Sequence, residues 1–304
     1  MVFNDAHCHF FSSAFLEALG RERYQRPISA QTIAEQLGWE TSDGAAALAD
    51  RWVAELDQHG GSRLALMASV PGDEDSVATA VRRHPTRIVG FFAVNAAAPD
   101  AADRAEHGLA TGHLRCICLF PAMHRYSYQD ECVVRIFEIA VRHGAAVFAH
   151  CGYLSIEARS RLGLPSLFDL RCGDPLALAA TAVRFPEVPV IVPHFGSGFF
   201  REALMAGEMC PSIHFDTSSS NAWLRYFPGL TLAEVFRRTL AVLGPDRLLF
   251  GTDSSYFPRG WRRVIYGAQC TALDELGAEQ DVRDKIFRRN FDRIFPVASS
   301  PRAD

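Results

Sequence analysis

Short apolar runs alternating with helical patterns recur eight times along the chain, and no other feature restricts its fold as strongly. The strand candidates are Met1–His9, Arg63–Ser69, Arg87–Val94, Leu114–Phe120, Ala145–His150, Val188–His194, Ser212–Thr217 and Arg247–Asp253. Helical periodicity covers Gly44–His59, Asp73–His84, Ala101–Ala110, Gln129–His143, Asp174–Phe185, Phe199–Met209, Leu232–Leu243 and Trp261–Leu276, and an extra C-terminal helix is expected over Asp281–Phe295. His84-Pro85, Phe185-Pro186 and Gly244-Pro245 mark helix ends, because proline drives the residue before it out of the helical region. Asp174-Pro175 marks a start, a capping side chain followed by proline in the first turn.

Strands that each lead into a helix form a parallel sheet with right-handed crossovers, and eight of them close into a (β/α)8 TIM barrel. The competing open, doubly wound sheet is weakened by the lack of Gly-x-Gly-x-x-Gly after the first strand. A length of 304 residues suits one barrel domain over 1–304. Three connections exceed simple turns: Phe10–Asp43, Pro121–Asp130 and Gly152–Gly173. All follow strand C-termini, where barrel enzymes keep their chemistry, so they are expected as pocket walls.

A net charge of −4 and the absence of a polybasic run argue against nucleic acid and anionic membranes as partners, which leaves a small-molecule substrate. No targeting segment is visible, and no apolar run is long enough to span a bilayer. The eight cysteines are scattered through strand and helix patterns. Reduced thiols in a cytoplasmic protein are the expectation.

The chemistry-bearing residues sit at strand ends. In Asp5-Ala6-His7-Cys8-His9, alternation along a strand turns His7 and His9 to one face and Cys8 to the other. Imidazoles about 7 Å apart along a strand can converge on one ion with metal–nitrogen bonds of roughly 2 Å. His150 ends the fifth strand, His194 the sixth and Asp253 the eighth. In a closed barrel these ends form one ring, so five residues remote in sequence can share one small space. A histidine and carboxylate donor set suits zinc, with iron, manganese and nickel as alternatives.

The motifs Asp5-Ala6-His7-Cys8-His9-Phe10, Phe148-Ala149-His150-Cys151-Gly152, Pro193-His194-Phe195-Gly196 and Leu249-Phe250-Gly251-Thr252-Asp253-Ser254-Ser255-Tyr256-Phe257-Pro258 resemble the amidohydrolase superfamily. The resemblance is to its amidohydrolase-related (amidohydrolase 2) branch, which includes the aminocarboxymuconate-semialdehyde decarboxylase-like enzymes. It extends to the closing segment Lys285–Phe295. It implies His7, His9 and His150 as metal ligands, Asp253 as ligand or general base, and His194 as proton shuttle or electrophilic partner. In one place the chain departs from the branch. Where the branch often has Lys and His on strand four, this chain has Cys118 and Phe120. A bridging carbamylated lysine is thereby ruled out, and one divalent ion, zinc first, becomes the default; packing explains Cys118 better than ligation does. Members of the branch are often dimers, so a homodimer is an expected state.

Substrate contacts are expected from loops. Arg125, Tyr126 and Tyr128 follow strand four, and Tyr256, Arg259 and Trp261 follow Asp253. Arg159, Arg161 and Arg171 follow strand five, with Asn221 and Trp223 after strand seven. As a group they favour an anionic or aromatic substrate. The expected activity is hydrolysis of an amide, lactone or ester bond. The alternatives are a metal-dependent non-oxidative decarboxylase of an aromatic or unsaturated carboxylic acid and, from outside the enzymes, an inactive ligand-binding barrel.

Overall fold

Each of the eight apolar runs forms a strand: β1 (Phe3–Phe10), β2 (Gly61–Ala68), β3 (Ile88–Val94), β4 (Leu114–Leu119), β5 (Ala146–Ala149), β6 (Val190–Val192), β7 (Ile213–Asp216) and β8 (Leu248–Leu249). The computed structural model describes residues 2–218 and 221–297, so Met1, expected in the first strand, lies outside the described residues. Every strand pairs in parallel with the next, in the order β1 to β8. Beyond the two regular residues of β8 the chain continues along β1. Ala6 N–H donates to Phe250 O (2.8 Å), Asp253 N–H to His7 O (2.9 Å) and His9 N–H to Ser254 O (2.7 Å). These bonds close a (β/α)8 barrel.

Fully buried strands read as near-continuous apolar runs, and this sequence follows that rule. Inward side chains from alternate positions, among them Met67, Phe91, Cys116, Cys118, Phe148 and Ile191, fill the barrel interior. Phe291 and Phe295 of the C-terminal segment join the same cluster. Cys118 is therefore a packed interior thiol, and burial pushes it well above the usual thiol range. The C-terminal helix predicted over Asp281–Phe295 is helical as far as Ile294, with a wider π turn over Lys285–Arg289, and Phe295 ends it. Among the described residues no helix is long and apolar enough to cross a membrane.

The connection Phe10–Asp43 is not a plain loop. It contains two helices, Ser13–Tyr24 and Ala30–Leu37, whose first turns are capped by Ser12 accepting from Phe15 N–H and Ser29 accepting from Thr32 N–H. Phe15, Leu16, Leu19, Ile33 and Leu37 pack with Ala158 and Leu162 of the β5 connection into a separate apolar cluster. These two excursions meet on the C-terminal side of the barrel and wall one side of its mouth.

A buried carboxylate fastens β1 to the chain leaving β8. Asp5 Oδ1 accepts from His7 N–H (3.0 Å) and Thr252 N–H (3.1 Å), and Oδ2 accepts from the Thr252 hydroxyl (2.6 Å) and Trp261 Nε1–H (2.7 Å). Burial raises the Asp5 carboxyl to about 6, against the downward pull of those donors. Replacing Asp5 by Ala removes the acceptor that ties these donors together. The expected loss is about 3–5 kcal/mol of stability, seen as a lower urea midpoint at unchanged slope.

Candidate metal and active site

His7 and His9 leave β1 on one face, as the alternation requires, and each ring is held from behind. His7 Nδ1 lies 2.6 Å from Asp216 Oδ2 at the end of β7. His9 Nδ1 lies 2.7 Å from Ser69 Oγ, just past β2. The Ser69 hydroxyl donates to Met67 O (3.1 Å), so it accepts from His9 Nδ1–H. Both rings therefore carry a proton on Nδ1 and turn Nε2 to the same point, the arrangement that partners of metal-bound histidines impose.

At that point stands Asp253. Its Oδ1 is 3.1 Å from His9 Nε2 and 3.7 Å from His7 Nε2. Asp253 has φ 57°, a left-handed backbone that few non-glycine residues adopt and that tends to mark functional sites. Gly251 precedes it because nothing larger fits: a Cβ there would sit 2.7 Å from Asp216 Oδ1 and 3.0 Å from His7 Cβ.

One donor atom from each of His7, His9 and Asp253 falls within 4.8 Å of the others, the spacing that lets them hold a metal ion. When His9 Nε2 is unprotonated its lone pair faces a carboxylate oxygen at 3.1 Å, a repulsion that a cation between them resolves. His150 is buried nearby with its Nδ1 lacking a hydrogen-bond partner among the described residues. An imidazole nitrogen left unpaired in a dry site costs free energy unless it meets a donor or an ion. His7, His9 and Asp253 fit one divalent cation, and His150 stands outside that 4.8 Å group.

His194 does not end a strand. It follows β6 in a tight turn where His194 (φ 56°) and Phe195 (φ 54°) are both left-handed, and its ring stands 5.0 Å from that of His7 and 5.5 Å from that of His150. Burial lowers the His9, His150 and His194 rings, so all three are neutral at pH 7. Burial also pulls on His7, but the Asp216 charge and hydrogen bond outweigh it and raise the ring to about 8. For Asp253 burial pushes upward, yet hydrogen bonding with the His9 ring and the charge of His7 hold it well below the usual carboxylate range.

These residues floor a cavity of about 680 Å³. One wall is a column of stacked rings that begins beside His9. Phe15 and Phe11 lie 4.0 Å apart, Phe11 and Trp39 5.3 Å, and Trp39 and Tyr256 4.4 Å, with interplanar angles of 4°, 8° and 9°. The Arg259 guanidinium covers the Tyr256 ring at 4.3 Å, within cation–π range. Arg225, Glu157 and Arg262 line the same cavity.

Of the expected substrate contacts, Tyr256 and Arg259 thus lie on the cavity, whereas Arg125 and Tyr126 do not. The chain after β4 turns at once into the short helix Pro121–His124, whose end places Arg125 at φ 60° with its guanidinium donating to Leu167 O. Tyr126 is buried behind it. Tyr128 donates to His150 O and so braces the end of β5. Arg159 pairs with Glu22 and Arg171 with Asp169. Ser69, Trp39 and Arg262 were not expected. Of these, Ser69 carried a readable signal, since it is a polar residue closing an apolar strand. Asp216, at the end of β7, holds His7 from behind.

The family model described as Amidohydrolase matches residues 5–297. No curated protein matches the sequence. Among solved structures the chain is similar to 5-carboxyvanillate decarboxylase from Novosphingobium aromaticivorans with bound manganese and 3-methoxy-4-hydroxy-5-nitrobenzoic acid (TM-score 0.61, 15% identity, 97% of this chain and 96% of that one). It is also similar to a probable 2-pyrone-4,6-dicarboxylic acid hydrolase from Acinetobacter baumannii with citric acid bound (0.61, 12%, 97% and 99%). A third is an amidohydrolase from Burkholderia multivorans with bound zinc (0.62, 14%, 98% and 100%). At these identities the likeness is one of fold.

Two outcomes are expected. Replacing Asp216 by Ala frees the His7 ring and should weaken zinc binding by about 10–100-fold, measured by competition with a chelating dye. A proton and a cation compete for His7 Nε2, so affinity should be full above the His7 pKa of about 8 and fall roughly tenfold per pH unit below it. An affinity that does not change between pH 6 and 9 would contradict the role of His7.

Proposed function

The chain belongs to the amidohydrolase family, and from that membership together with the converging donors we propose that it is a metal-dependent hydrolase of a small anionic or aromatic substrate. The bond cleaved is an amide, lactone or ester. The observation that carries this reading is the meeting of His7, His9 and Asp253 within 4.8 Å on the cavity floor. His7, His9, His150 and Asp253 would hold one divalent ion, and zinc suits the donors best. When bound, such an ion stabilises negative charge on a substrate oxygen and acidifies water at the site.

The side chains divide the remaining work. Asp253 stays ionised, because its histidine neighbours depress its pKa, and its carboxylate can accept a proton from the attacking water. His194 faces the cavity as a neutral ring and can polarise the scissile carbonyl or hand a proton to the leaving group. The Phe11, Trp39 and Tyr256 wall offers flat apolar area to a ring, and Arg259 at its end offers a fixed cation to a carboxylate.

A second reading is non-oxidative decarboxylation, favoured by the aromatic wall with its arginine and by the fold shared with a decarboxylase crystallised with a nitrobenzoic acid. There His194 or Asp253 would protonate the ring carbon as carbon dioxide leaves. Purified protein loaded with zinc or manganese and supplied with a panel of carboxylated aromatics and their lactones separates the two. Hydrolysis releases no gas, whereas decarboxylation releases one carbon dioxide per turnover. Asp253→Asn should fold and lose about 10²–10⁴-fold in rate. Undiminished turnover in that variant would remove Asp253 from the mechanism.

A further inference from the structure

We propose that Ser218 is a positioning residue that places the proton of the His194 ring on Nε2, so that His194 offers the cavity an N–H donor. Ser218 is fully buried just past β7. Its backbone N–H donates to Asp216 Oδ1 (2.6 Å), which fixes the residue in place. Its Oγ lies 2.8 Å from His194 Nδ1 and 3.0 Å from His7 Nδ1.

The assignment follows from where each proton can go. His7 Nδ1 gives its proton to Asp216 Oδ2 at 2.6 Å, the shortest contact it makes, so that nitrogen cannot accept another. The Ser218 hydroxyl has one proton, and among the described residues the acceptor within reach is His194 Nδ1. In a neutral imidazole a nitrogen that accepts leaves the proton on the other one. The opposite tautomer would have His194 Nδ1–H donate to Ser218 Oγ or to the Ser218 carbonyl, which stands farther away at 3.5 Å. That arrangement strands the Ser218 proton in a site without solvent, and a buried donor left unmade is the more costly choice.

One carboxylate thereby orients two imidazoles through its two oxygens. Asp216 Oδ2 turns the His7 lone pair toward the cation position, and Asp216 Oδ1, acting through Ser218, turns a His194 proton toward the substrate. On the reading of the cavity as a hydrolase site, His194 then polarises a substrate oxygen or protonates a leaving group, and it does not take the proton of water.

Ring-nitrogen NMR of the full chain carrying isotope-labelled histidine tests this, with the His194 signals assigned by their loss in His194→Gln. Spectra taken after chelation and again with added zinc keep the result separate from the metal reading and from any catalytic activity. The expected wild-type pattern is a protonated Nε2 and a bare Nδ1. In Ser218→Ala that pattern should be lost in favour of Nδ1–H or exchange between tautomers, and Ser218→Thr, which keeps the hydroxyl, should restore it. A protonated Nδ1 in the wild type overturns the proposal, as does an unchanged tautomer in Ser218→Ala. Should Ser218→Ala fail to fold, the wild-type spectrum still decides.

Discussion

The site depends on how the chain leaving β8 lies against β1. Asp253 N–H bonds to His7 O and His9 N–H bonds to Ser254 O. This register sets the Asp253 carboxylate opposite the two Nε2 atoms instead of one residue to either side. The left-handed turn at Asp253 is tolerated because Asp5 holds both strands through four donors and because Gly251 lets the backbone pass close to Asp216. Strain at the carboxylate is thus compensated by a buried clasp one layer below it, the usual relation between a functional residue and its support.

Around that register the electrostatics are graded. His7 is tied to a full carboxylate and leans toward its charged form, whereas His9, tied to a hydroxyl, stays neutral. His150 and His194 lie deeper among other histidines and are driven neutral by burial. Asp253 keeps its negative charge in their midst. The unprotonated Nε2 atoms of His7 and His9 and the Asp253 charge are aimed at one point, which is what a cation needs, and a proton on His7 is its main competitor.

Much of this was legible in the sequence, for a definite reason. Parallel strands are buried on both faces, so they stand out as apolar runs, and all eight are found within a few residues. The polar residues that close such runs, His7, His9, His150 and Asp253, stand out against them. His194 was located correctly but assigned to a strand, because Pro193-His194-Phe195-Gly196 does not disclose its two left-handed residues. What depended on loop path was not legible. Arg125 and Tyr126 were expected at the cavity, yet the helix Pro121–His124 carries them away from it. The stack from Phe15 to Tyr256 joins residues more than two hundred positions apart, and no local pattern announces it. Ser218 looks like part of an ordinary polar turn until its hydroxyl is placed between two rings.

Metal stoichiometry tests the central claim most directly. Elemental mass spectrometry of the purified protein, dialysed against zinc and then against metal-free buffer, should find one equivalent in the wild type and a loss of it in both His7→Ala and His9→Ala. No retained metal in the wild type, or full retention in either variant, would contradict the assignment of this cluster as a metal centre. Two equivalents would contradict a single-ion site.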